Sequence, residues 1–118
     1  MADRNWRLRL ATVVLPLLFL AMSAMASAAT ITVNTVGDPG VSGTCDLRDA
    51  ITNANGKNQS GSANCAGGTG SDTIEFSIGG TIILGSSLPA IANTSPGSLT
   101  IDGSELITVD GANSFQIF

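Results

Sequence analysis

Polar and apolar positions along this chain follow three different rules. Between Val13 and Met22 apolar residues run together, interrupted by Pro16. Thr30-Ile31-Thr32-Val33-Asn34 then alternates polar with β-branched apolar residues, which predicts a strand. Gly37-Asp38-Pro39-Gly40 breaks it. Farther on, Leu47, Ala50, Ile51 and Ala54 stand at i, i+3, i+4 and i+7, the spacing of one helical face. Asp46 and Asp49 fall in its first turn, where the helix dipole favours negative charge. Asn55-Gly56, followed by Lys57, supplies a C-terminal stop. The pattern therefore predicts a short amphipathic helix over 46–55 and a polar loop over 56–71.

Beyond Asp72 the chain becomes a series of short β-type segments set apart by Gly, Ser, Asn or Pro: 73–76, 81–84, 88–91, 99–102, 107–110 and 115–118. Ile74 to Leu99 and Thr81 to Leu106 are each 25 residues, and Leu88 to Phe115 is 27. Three strands recurring in order predict a mainly β fold, the start of a three-sided parallel solenoid in which each strand stacks on its equivalent one coil back. Stacked strands lie about 4.8 Å apart, so small and β-branched side chains fill the interior. An open solenoid end exposes core and unpaired backbone. The helix is expected to cap that end.

Composition separates the chain at Ala28. Residues 1–28 hold 19 of the 51 apolar residues and three of the five basic ones, Arg4, Arg7 and Arg9. A positive start, an apolar core and small residues ending in Ala26-Ser27-Ala28 make the layout of a cleavable secretory signal peptide. The alternative reading is an uncleaved anchor, but a permanent span needs about 20 apolar residues. No second apolar run follows, so no membrane span is expected in the mature chain. The expected organisation is signal peptide over 1–28, strand, helical cap and disulfide loop over 29–72, and first coils over 73–118.

The only cysteines, Cys45 and Cys65, both lie beyond the signal. An oxidising compartment favours their pairing across the Asn-, Gly- and Ser-rich loop between them. Closing a loop of about 20 residues is worth roughly 3 kcal/mol in the chain-entropy model. Residues 29–118 carry eight acids against Arg48 and Lys57. That balance excludes a phosphate-neutralising nucleic-acid face. The absence of His excludes His-based catalysis and His-ligated zinc. No catalytic, cofactor or metal set is expected. Thr100-Ile101-Asp102-Gly103 and Thr108-Val109-Asp110-Gly111 read as turns, with Asp accepting backbone bonds and Gly at positive φ. Glu75 is expected to face solvent, and Arg48 to pair with an acid such as Asp72, locking the cap to the first coil.

Cys45-Asp46-Leu47-Arg48-Asp49-Ala50-Ile51, followed by Ala54-Asn55, resembles the hexapeptide that names the CSLREA-domain proteins. Asp46 stands where the family has Ser, and Asp49 where it has Glu. Gly70-Ser71-Asp72-Thr73-Ile74-Glu75-Phe76, Leu88-Pro89-Ala90-Ile91 and Leu99-Thr100-Ile101-Asp102-Gly103 also look like that family, in order. The resemblance covers about 30–111. It implies the N-terminal start of a right-handed parallel β-helix in an exported, mostly bacterial surface protein, similar to polymorphic outer-membrane proteins and passenger-type adhesins. The cap motif would then comprise Cys45, Leu47, Arg48, Asp49, Ala50 and Ile51. A biochemical activity is not part of the family's definition.

Two function classes follow. The first is a secreted or cell-surface structural, adhesin-like protein with no enzyme activity, whose partners are an unknown surface ligand or further coils of its own solenoid. The second is the N-terminal fragment of a β-helical polysaccharide lyase or glycoside hydrolase. Residues 73–118 make fewer than two expected coils, and Phe118 falls inside an apolar segment. The chain therefore reads either as an incomplete fragment or as one that self-associates through an open C-terminal end.

Overall fold

The computed structural model describes residues 27–93 and 97–118. The secretory segment expected over 1–28 thus lies outside the described residues, apart from Ser27 and Ala28. The elements run β1 (Ala29–Val33), α1 (Leu47–Gly56), β2 (Ser71–Phe76), β3 (Gly80–Ile83), β4 (Ser98–Asp102) and β5 (Ile107–Asp110). They form a three-stranded sheet in the order β1-β2-β4 and a two-stranded sheet of β3 and β5. All pairings are parallel.

Register follows the two-residue alternation. Ile31, Ile74 and Ile101 stand opposite one another across β1, β2 and β4, and Ile82 opposes Val109 across β3 and β5. Ile31, Ile74 and Ile82 are fully buried, while Thr30, Thr32, Glu75 and Thr81 between them are exposed. Burying one such side chain contributes roughly 1.5–3 kcal/mol. The inward columns are therefore what hold each strand in place, because a one-residue slip would turn every apolar side chain to water.

The expected right-handed parallel β-helix start is not what these residues build. Instead of a three-sided coil, the described residues form two short parallel sheets, one helix and a disulfide. Segments 88–91 and 115–118 form no strand. Their backbones meet through Leu88 N–H donating to Gln116 O at 3.1 Å. Pro89 has no N–H to donate, so it cannot extend a ladder there. The pairing offset also differs from the expected 25: Ile74 opposes Ile101 and Thr81 opposes Thr108, both 27 residues apart. β1 is an edge strand of the larger sheet, with α1 between it and β2 in the sequence.

Helix α1 begins at N-cap Asp46, whose carboxylate accepts from Asp49 N–H at 2.8 Å and from Gly40 N–H at 2.7 Å. It ends at Lys57, in the left-handed region at φ 54°, where the cap N–H donates to Ala54 O and Asn53 O. The stop is thus Lys57, one residue past the expected Gly56. Leu47, Ala50, Ile51 and Ala54 are buried as predicted, and the helix packs against β1 and β2. Burial fades toward the other side of the molecule. Ile31, Val33, Ala50, Ile51 and Ala54 are sealed, whereas Leu99, Ile101, Ile107, Val109, Phe115 and Ile117 are only partly buried. No described helix is long and apolar enough to cross a membrane.

Candidate functional site: the Arg48 latch and the disulfide loop

The motif residues split by the helical period. Leu47, Ala50 and Ile51 enter the core, while Arg48 and Asn55 lie on another face, two turns apart. Arg48 does not pair with Asp72. Its Nε donates to Asp38 Oδ1 at 2.9 Å and its Nη2 to Asp38 Oδ2 at 2.8 Å, a two-pronged ion pair. Nη1 donates to Ser87 O at 2.7 Å, and Nη2 also to Ser86 O at 2.9 Å. Asp38 further accepts Gly85 N–H at 3.0 Å. One guanidinium therefore joins α1, the turn at 37–40 and the segment after β3. A planar fork with five donors suits this task; a lysine cannot serve two carboxylate oxygens and two carbonyls at once.

Asp38 has its side chain only 3% exposed and Arg48 23%. Burial pushes the Asp38 carboxyl up, but the Arg48 hydrogen bonds, the Gly85 N–H and the Arg48 charge outweigh it, leaving its pKa below the ordinary value. Those same bonds from Asp38 raise Arg48 above its usual range. Asp49 is raised, first by burial and then by the neighbouring Asp46 charge, against a Ser62 hydrogen bond and the Arg48 charge.

Asn55 extends the seam. Its Nδ2 donates to Ala90 O at 2.9 Å and its Oδ1 accepts Ala92 N–H at 2.8 Å. A side-chain amide thus supplies the donor and acceptor that a neighbouring strand would offer, which keeps 90–92 paired without a sheet.

Cys45 and Cys65 form the disulfide, with Cα atoms 4.9 Å apart and a sequence separation of 20. The loop it closes is organised by Asn53, which is fully buried. Asn53 Oδ1 accepts Gly61 N–H at 2.7 Å and Ser62 N–H at 3.1 Å, while Nδ2 donates to Ser62 O at 2.9 Å and Ala66 O at 3.0 Å. Gly68 completes the contact: a Cβ there would meet Asn53 O at 2.3 Å. Asp72, also buried, accepts from Thr69 N–H and Oγ1, Gly70 N–H and Asn93 Nδ2. Asp72 therefore closes the start of β2 and is not the cap's ion-pair partner.

The Asp-Gly units are turns, but their geometry differs from expectation. Asp102 Oδ1 accepts Ser104 N–H at 2.9 Å and Asp110 Oδ1 accepts Ala112 N–H at 2.8 Å. Positive φ falls on Ser104, Glu105, Ala112 and Asn113. Gly111 is required for close approach, since a Cβ there would meet Phe115 O at 2.4 Å.

Sequence reasoning missed Asp38, read as a strand breaker, and Asn53 and Asn55. Asn53 did carry a signal, being a polar residue beside Ala50 and Ala54 on the apolar side of the helix. Among the described residues no group of three or more His, Cys, Asp or Glu could hold a metal ion. Comparison with known protein families, with characterised proteins and with solved structures finds no match for this chain.

Proposed function

We propose that this chain is an exported, disulfide-braced structural module of a secreted or cell-surface protein, adhesin-like in role, which presents surface to partners and catalyses nothing itself. The observation that carries this reading is the use made of the motif's one basic side chain. Arg48 is held by Asp38 and by the carbonyls of Ser86 and Ser87, so it is not presented to a substrate. The signal-peptide layout of 1–28 and the disulfide support export. The resemblance of Cys45–Ile51 to CSLREA-domain proteins agrees with a surface location. Support for a polysaccharide-cleaving role is lacking: Asp102 and Asp110 end strands of different sheets and hold their own turns.

The test is expression of the full chain in a secreting bacterium, followed by cell fractionation, N-terminal sequencing and assays on acidic and neutral polysaccharides with calcium. The expected product is extracytoplasmic, begins at Ala29, carries the disulfide and shows no turnover. Cytoplasmic retention, or turnover abolished by Asp102→Asn, would overturn the proposal.

A further inference from the structure

We infer that Asn58, in the loop closed by the disulfide, is an acceptor for an N-linked glycan, and that Asn93 is not. This rests on the reading of the chain as exported, since such glycans belong to surface loops of secreted proteins. The sequence offers two Asn-X-Ser acceptor patterns with no proline at X, Asn58-Gln59-Ser60 and Asn93-Thr94-Ser95. The pattern treats them alike, and the fold separates them.

The transfer needs a carboxamide nitrogen that a transferase can reach. The co-reactant is an oligosaccharide carried on a lipid diphosphate. Asn58 Nδ2 bonds to the anomeric carbon of its first sugar, the bond from that carbon to the diphosphate oxygen breaks, the diphosphate leaves with the electron pair, and one amide proton is lost to solvent. Asn58, Gln59 and Ser60 are all exposed. Asn58 Oδ1 accepts Ser60 N–H at 2.8 Å, which bends the pattern into a turn, and among the described residues nothing takes its Nδ2. A Cβ on Gly56 would stand 2.8 Å from both Asn58 Oδ1 and Ser60 Oγ, so the amide and the hydroxyl of the pattern lie together over that glycine. The backbone beneath is fixed: Asn58 N–H donates to Asn53 O at 3.2 Å, and Asn58 O accepts Gly68 N–H at 3.0 Å. Folding thus holds the main chain here and leaves the side chain outside.

Asn93 is the reverse case, being only 6% exposed. Its Nδ2 donates to Asp72 Oδ2 and to Ser98 O, both at 3.3 Å, and Asp72 is itself buried. Its Oδ1 is buried with no partner among the described residues. A sugar on that nitrogen would displace both hydrogen bonds and drive a bulky, hydrated group against the Asp72 carboxylate.

The test expresses the full chain through a eukaryotic secretory pathway and takes folded, oxidised product from the medium. Enzymatic glycan release in heavy-oxygen water turns each occupied asparagine into a mass-tagged aspartate, which peptide mass spectrometry locates. Asn58 should carry the tag and Asn93 should not. Asn58→Gln and Ser60→Ala should each lose the glycan, Ser60→Thr should keep it, and Ser95→Ala should change nothing. A secreted chain untagged at Asn58, or one tagged at Asn93, would overturn the inference while the export reading stands. A chain retained in the cytosol would overturn both.

Discussion

Replacing Arg48 with methionine tests how the helix is fastened to the rest of the chain. Much of the aliphatic stem stays, and the donors to Asp38 Oδ1, Asp38 Oδ2, Ser86 O and Ser87 O disappear. The Asp38 side chain, 3% exposed, would keep the Gly85 N–H at 3.0 Å. Breaking one partner of a buried ion pair costs about 3–5 kcal/mol, because the remaining charge is left uncompensated. The Arg48 side chain is 23% exposed, so water already screens part of the interaction, and we expect about 2–3 kcal/mol. That is a large share of a typical net stability of about 5–15 kcal/mol. Urea unfolding should show a lowered midpoint with an unchanged slope. The pH dependence has a definite sign. The folded Asp38 pKa lies below its ordinary value of 3.8, so its contribution is fully present above that value and is lost as pH falls through the folded pKa. In the variant, protonation of Asp38 relieves a buried charge, so the stability gap between the proteins should narrow on acidification. A loss below about 0.5 kcal/mol, within the range of exposed ion pairs, or a gap unchanged between neutral and acid pH, would refute the reasoning.

Joint replacement of Cys45 and Cys65 by serine should cost about 3 kcal/mol, and reductant should lower the melting temperature of the native protein but not of the variant. Asn53→Leu should cost about 2–4 kcal/mol by stranding the N–H groups of Gly61 and Ser62, visible as faster amide exchange at both; unchanged exchange would count against Asn53 as organiser of the loop. Asp46→Ala should lose about 1–2 kcal/mol and Asp46→Asn much less, since asparagine also caps; equal losses would show that the cap is not the cause. Ile74→Ala should cost about 3–4 kcal/mol and Ile101→Ala about half of that, following the burial gradient across the paired strands; equal costs would contradict the half-open core.

Local pattern carried much of the secondary structure. Alternating Ile31 and Val33, and the i, i+3, i+4, i+7 stripe of α1, place elements because each apolar face must leave water whatever it packs against. Register was not legible in the same way. Offsets of 25 and 27 differ by two, the side-chain repeat of a strand, so alternation cannot choose between them. The choice appears only where chains meet, in Ser98 N–H donating to Gly70 O at 2.9 Å. Segments 88–91 and 115–118 show the opposite error. Their apolar residues resemble strands, yet Pro89 removes a donor and the amide of Asn55 answers the neighbouring backbone at 90–92.

What the residues determined by themselves were the positions of the helix and of the five strands that form, the pairing of two lone cysteines, and a composition that denies histidine chemistry and a basic binding face beyond residue 28. The tertiary structure alone decided that Arg48 belongs to Asp38, that Asn53 gathers the disulfide loop, and that the strands close into two small sheets with one half-open side. The reason is physical. Burial and turn preferences act over a few neighbouring residues and can be read along the chain. A long polar side chain instead takes whichever buried acceptor the fold brings within about 3 Å, and that partner lies anywhere in the sequence.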